Sequence, residues 1–252
     1  MKKPSPRGIE EDWQWPATGW SDSGHMPSTL GRNANRLNEL ILRYQAPLKA
    51  YLLAAFPGLV DEADELLQDF TQDRILKEGW LSKADRQRGR FRDFLKISLK
   101  NFVRDRLSSR ANAPVSLEDL EYDIASETEG EEAFGLEWGR TILAEVLTRM
   151  EQDCQTPQQN QPNRLQIWDV FRLRLLQPTL EGAEPVGYEE LVSKLGIVSP
   201  FAAQNLLATA KRMFERHLDE VIGEYETAGE ATKVEVEDLK KFLAGLSRKK
   251  TH

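Results

Sequence analysis

The sequence predicts an all-α protein. Apolar residues recur at three- and four-residue intervals through most of the chain, no convincing period-two segment appears, and Gly or Pro punctuates the periodic runs. From Asn33 onward, Leu37, Leu40, Ile41, Tyr44, Leu48, Tyr51 and Leu52 build one apolar stripe, with a kink or restart expected at Pro47 and a stop at Pro57-Gly58. A second stripe comprises Val60, Ala63, Leu66, Leu67, Phe70, Ile75 and Leu76 and stops near Gly79. A loop from Ser82 to Gly89 follows. Phe91, Phe94, Leu95, Ser98, Phe102 and Val103, widened by Leu99 and Leu107, make a third. Three helices striped in this way bury a shared core without any strand.

Beyond the third helix the pattern breaks. Residues 111–137 carry Glu118, Asp119, Glu121, Asp123, Glu127, Glu129, Glu131, Glu132 and Glu137 with no Lys or Arg, which marks an acidic linker. A helix resumes from Trp138 to Met150. The polar stretch QDCQTPQQNQPN separates it from an apolar run at Leu165 to Leu176. Helical patterning then continues through Tyr188 to Leu195, Ser199 to Ile222, and a last helix containing Val234, Val236, Leu239, Phe242, Leu243 and Leu246. The expected organisation is an arm (1–31), a helical domain (32–110), the linker (111–137), a second helical domain (138–228), and a C-terminal helix with a basic tail (229–252). The arm is rich in Pro, Gly and Ser but carries Trp13, Trp15 and Trp20, so it reads as flexible with a part that docks, either on its own domain or on another surface.

Composition narrows the function classes. The chain has 252 residues and a formal net charge of −7, yet the charge is segregated along the sequence. No apolar run approaches the ~20 residues of a membrane span, and Pro4 and Pro6 stand where a secretory signal would be apolar, so a cytoplasmic protein is expected. Cys154 is alone, and His25, His217 and His252 are far apart, which argues against a disulfide framework or metal chemistry. No cofactor is expected.

Two constellations carry binding chemistry. The first is an acidic helix, DEADELLQDF, followed by a basic one, GRFRDFLKISLKNFVRDRLSSR. Lys83, Arg86, Arg88, Arg90, Arg92, Lys96, Lys100, Arg104, Arg106 and Arg110 are opposed locally only by Asp85, Asp93 and Asp105, and such a row neutralises phosphates without sequence preference. Phe91, Phe94 and Phe102 are spaced as core rather than as base-stacking groups. The second is a helix-turn-helix pattern: Tyr188 to Leu195, a left-handed turn at Gly196, Ser199 as N-cap and Pro200 in the first turn. Its outer face, Gln204, Asn205, Lys211, Arg212 and Arg216, reads either as a groove-reading surface or as a solvated helix face. Asp61-Glu62-Ala63-Asp64 spells a helicase motif, but no Gly-rich loop with Lys-Ser or Lys-Thr accompanies it. The carboxylates Asp61, Asp64, Glu65 and Asp69 lack a His, Lys or Tyr companion for metal-dependent hydrolysis, so a solvated acidic face is expected and no catalytic residue is assigned.

The acidic-then-basic pair resembles the central domain of bacterial RNA polymerase sigma factors of the extracytoplasmic-function type. The matching positions are Asp61, Asp64, Glu65, Leu67, Gln68, Asp69 and Phe70, then Phe91, Arg92, Phe94, Leu95, Ile97, Asn101, Asp105 and Arg110. The loop GWLSKADRQRGRF, the Trp138 helix, the helix-turn-helix and VEVEDLKKFLAGLS are similar to a planctomycete-like subgroup, so the resemblance runs through nearly the whole chain. It implies two helical domains, region-2-like and region-4-like, and the partners core RNA polymerase and promoter DNA, with room for an anti-sigma regulator. It implies that Asp61, Asp64, Glu65, Gln68 and Asp69 dock on the clamp helices of the beta-prime subunit. Arg88, Arg90, Arg92, Lys96, Lys100, Asn101 and Arg104 would hold the melted minus-ten strand. Ser199, Phe201, Gln204, Asn205, Lys211 and Arg212 would read the minus-thirty-five element beside the beta flap, and the acidic linker would thread the polymerase cleft.

The chain departs from the family pattern in two places. The first turns of the recognition helix, SPFAAQNLLATA, hold no basic residue before Lys211. The basic helix ends in Ser108-Ser109-Arg110 where consecutive arginines are usual. Gln204 and Asn205 retain amide chemistry suited to adenine, but the electrostatic contribution is reduced. Modest affinity for DNA without polymerase is expected.

Overall fold

The computed structural model describes residues 30–75, 90–111, 124–156, 163–225, 233–239 and 241–242. Among these residues every regular element is helical and no strand occurs. The arm to residue 29, the loop with Arg88 and the segment 112–123 lie outside the described residues.

Helix α1 (Leu30–Ala55) runs as one element through Pro47, where a kink or restart was expected. Its stripe is the expected one: Ile41, Tyr44, Leu48, Tyr51 and Leu52 are buried. A 3-10 turn, Pro57–Glu62, leads into α2 (Ala63–Phe70), which continues into a π-helical turn at Thr71–Ile75. The turn changes which residue faces inward. Leu59, with non-helical backbone, is buried, and Val60, assigned to the stripe by spacing, is 52% exposed. Helix α3 (Phe91–Ala111) contributes Leu95, Leu99, Phe102 and Val103 to the core. Phe102 meets Phe70 edge-on at 5.6 Å and Phe91 meets Tyr44 at 5.5 Å, so both rings serve packing in this conformation.

Helix α4 (Ile124–Gln155) corrects the linker boundary. It begins at Ile124 rather than near Trp138, so much of the stretch read as linker is a core element. The physical reason lies in residues that charge density obscured. Phe134 and Trp138 are 1% and 2% exposed. Gly130 lies so close to α1 that a Cβ there would stand 2.8 Å from Ala55 Cβ. Two acids of this half-helix, Glu127 and Glu131, are matched by cations of α3, described below.

The same core crosses the expected domain boundary. Leu218, Val221, Ile222 and Tyr225 join Ile41 to Phe70, Leu95 to Val103 and Phe134 to Val146 in one apolar cluster, with Leu239 of the C-terminal helix (233–239). Helices α5 (Arg164–Phe171), α6 (Gln177–Glu181), α7 (Tyr188–Leu195) and α8 (Pro200–Gly223) complete the order. A π-helical turn, Arg172–Leu176, joins α5 to α6. Met150, Cys154, Ile167, Phe171, Ala210 and Met213 form a second cluster, and Val170, Leu191, Ile197, Ala203 and Leu207 a third. Phe214 packs on the first two and Leu206 on the last two, so the three are contiguous. Asp153 on α4 ties this end together, accepting from Arg164 at 2.8 Å and Arg216 at 2.6 Å.

Candidate nucleic-acid interface

The acidic helix presents an open face. Asp61, Asp64, Glu65 and Gln68 are exposed, while Ala63, Leu66, Leu67 and Phe70 face the core. Asp64 and Glu65 lie in the first turn of α2, where the helix dipole favours carboxylates. Lys49 of α1 pairs with Asp64 at 2.6 Å, but the Asp64 side chain stays 79% exposed. Asp69 turns instead toward α3 and accepts from Arg106 at 2.6 Å, which joins the acidic and basic helices.

Helix α3 is not an open basic surface in this conformation. Arg90 bonds Asp93 at 2.7 Å and Asp238 at 2.9 Å. Arg92 is 6% exposed; it approaches Glu235 at 3.0 Å, bonds Asp238 and lies 4.5 Å from the centre of the Trp138 ring. Lys96 is 7% exposed, pairs with Asp93 and Glu131, and sits 5.1 Å from the Phe134 ring. Lys100 pairs with Glu127 at 3.3 Å. Asn101 is exposed and Arg104 is partly exposed, 4.0 Å from Asp105. Asp93 serves both Arg90 and Lys96, and the other counter-charges of these groups come from outside the helix. Glu127 and Glu131 come from α4, and Glu235 and Asp238 come from the C-terminal helix.

These acids were missed by local reading because they lie far away along the chain. The available signal was their spacing: Glu127 and Glu131 are four apart, Glu235 and Asp238 three apart, and each pair shares a helix face. The electrostatics follow the geometry. Burial pushes the Asp238 carboxyl up, but the charge and hydrogen bond of Arg92, with Lys241 and Arg90, outweigh it and hold the group below the usual carboxylate range. Asp93 is lowered likewise, with Lys96 and Arg90 overcoming its burial.

The helix-turn-helix is built as its sequence suggests. Helices α7 and α8 cross at 91°. Gly196 closes α7 in the left-handed region at φ 63°, and the Ser199 side chain accepts from the Ala202 amide at 3.1 Å as N-cap of α8. Leu191, Ile197, Ala203 and Leu207 are buried between the helices. The outward face carries Phe201 at 71% exposure, then Gln204, Asn205, Ala208, Lys211 and Arg212, all exposed. Val198 in the turn is 93% exposed. Arg212 bonds Thr209 on its own helix, whereas Arg216 is directed to Asp153 and Glu220 rather than outward alone.

Among the described residues no group of His, Cys, Asp and Glu is arranged to hold a metal ion, and no single helix is long and apolar enough to cross a membrane. No protein-family model, curated protein or solved structure matches the chain.

Proposed function

We propose that this protein is a promoter-recognising sigma factor that binds core RNA polymerase in the cytoplasm and directs DNA melting and transcription initiation. The observation that carries the reading is the α7–α8 unit. Its right-angle crossing, four-residue turn with a left-handed Gly196, N-cap at Ser199 and exposed outer face suit a major-groove reader. The open carboxylate and amide face of α2 beside the cationic α3 supports the other half of the reading. It offers Asp61, Asp64, Glu65 and Gln68 to the clamp helices of the polymerase. On this reading residues 32–110 form a region-2-like part and residues 138–228 a region-4-like part, with the first half of α4 packed on the former.

Run-off transcription with purified core polymerase and a pool of promoters tests the proposal. Promoter-specific transcripts are expected, and their absence across the pool would sink it. Gln68→Ala, at an exposed position, is expected to weaken polymerase binding while leaving thermal stability unchanged.

A second reading has its own support: a sigma-like adaptor that keeps the polymerase contact without choosing promoters. It is favoured by the uncharged first turns of α8 and by the covered state of Arg92 and Lys96. Polymerase binding without promoter-specific transcripts would select it.

A further inference from the structure

We propose that the C-terminal helix is an intramolecular cover that occupies, with the carboxylates of Glu235 and Asp238, the place on Arg90 and Arg92 where the phosphates of single-stranded DNA bind. The inference rests on the nucleic-acid reading of α3 and adds its regulation.

Arg92, Lys96 and Lys100 follow one another at four-residue spacing, which sets them about 6 Å apart along one side of the helix. Each is met by a carboxylate from outside α3. Guanidinium and ammonium groups that hold carboxylate oxygens in this way present the same donors that hold phosphate oxygens. The two sets of acids differ in how they are attached. Glu127 and Glu131 belong to α4, whose Phe134 and Trp138 are fixed in the core. Glu235 and Asp238 belong to a short helix that reaches α3 from 146 residues away along the chain. Glu235 is fully buried against Arg92, so no phosphate reaches that guanidinium while the helix is seated.

The seat is small. Val236, Leu239 and Phe242 pack on the first core cluster. Phe242 lies against Gly139, where an added Cβ would stand 2.6–2.9 Å from three of its ring atoms. Lifting this helix exposes Arg90 and Arg92 without unwinding α3. Arg92 would keep the Trp138 ring beneath it, and the site would then be ready for a phosphate.

The geometry supplies two independent ways to unseat the cover in the full-length protein. Glu235→Gln with Asp238→Asn removes its charge. Gly139→Ala alters no charge and drives Phe242 off its seat. Affinity for a labelled oligothymidylate at low salt, without polymerase, is the readout. The double variant is expected to bind about tenfold tighter than the parent with a steeper salt dependence, and Gly139→Ala is expected to move the same way. A control, Glu215→Gln with Asp219→Asn, makes the same change of net charge on an exposed face of α8 and is expected to stay within about twofold.

Wild-type affinity in a double variant that retains its helical circular dichroism overturns the cover, as does an equal gain in the control. If Glu235→Gln/Asp238→Asn does not fold, the Gly139→Ala result decides alone: a gain supports the cover and no gain overturns it. The transcription assay fails separately. Tighter oligonucleotide binding without promoter-specific transcripts removes the sigma reading and leaves the cover standing.

Discussion

At the scale of single residues, the helix-turn-helix depends on two backbone devices. Gly196 adopts φ 63°, a region in which a Cβ costs about 1–2 kcal/mol. Ser199 satisfies the Ala202 amide, and loss of such a cap costs about 1 kcal/mol. Gly196→Ala and Ser199→Ala are each expected to lower the unfolding free energy measured in urea by amounts of that size. A Gly196→Ala protein as stable as the parent would contradict the turn geometry. Asp238 and Asp93 make a second prediction, on pH. Both carboxyls lie below their ordinary value near about 4 because the cations of α3 outweigh burial. A group depressed in this way contributes stability that is present above its unfolded pKa. That stability is lost as pH falls through the lower, folded value. The parent is therefore expected to lose stability on acidification below about pH 4. Asp238→Asn is expected to be less stable at neutral pH and to lose less over the same interval, and parallel urea-midpoint curves for the two proteins would refute the assignment.

At the scale of elements, the first half of α4 separates what charge density says from what packing does. Its run of glutamates reads as a solvated linker when each acid is considered beside its neighbours in sequence. In the fold, Glu127 and Glu131 are neutralised by Lys100 and Lys96, and the same half-helix inserts Phe134 and Trp138 into the core. Periodicity found α1, most of α3, α7 and α8 because one face of each is uniformly apolar. It lost the start of α4 because Gly130 and Gly135 interrupt the stripe, and because the partners of its charges are set by tertiary contact. The candidate site was legible to a similar degree. The open face of α2 and the outer face of α8 lie where spacing put them, whereas Arg92 and Lys96 are covered by acids no local window contains. Truncation distinguishes core from linker. Phe134→Ala is expected to cost about 3–5 kcal/mol in denaturant unfolding. Glu129→Ala, at an exposed position of the same helix, is expected to stay within about 0.5 kcal/mol. A mild effect at Phe134 would restore the linker.

At the scale of the whole molecule, the question is whether residues on either side of the acidic segment melt together. Two independent domains would each have a core of their own. Here Leu218, Val221 and Ile222 of α8 share a cluster with Tyr44, Leu52 and Leu99. Beside them Glu224 accepts from Arg43 of α1 at 2.7 Å and from Arg149 of α4 at 2.6 Å, so an ion-pair bridge spans the same boundary. These exposed pairs contribute little alone, and the shared apolar cluster is what couples the two parts. A continuous core makes partial unfolding expose apolar surface on both sides, which favours one cooperative transition. Urea unfolding followed by far-ultraviolet circular dichroism and by tryptophan fluorescence is expected to give coincident curves. Leu218→Ala removes a side chain 5% exposed in the shared cluster and is expected to cost about 2–5 kcal/mol, shifting the whole curve rather than one part. Two separated transitions, only one of them moved by Leu218→Ala, would mean that the halves fold independently and meet only as docked bodies. A single shifted transition would mean that any separation of the two halves must first break this core, so that whatever favours the opened arrangement works against the stability of the closed molecule.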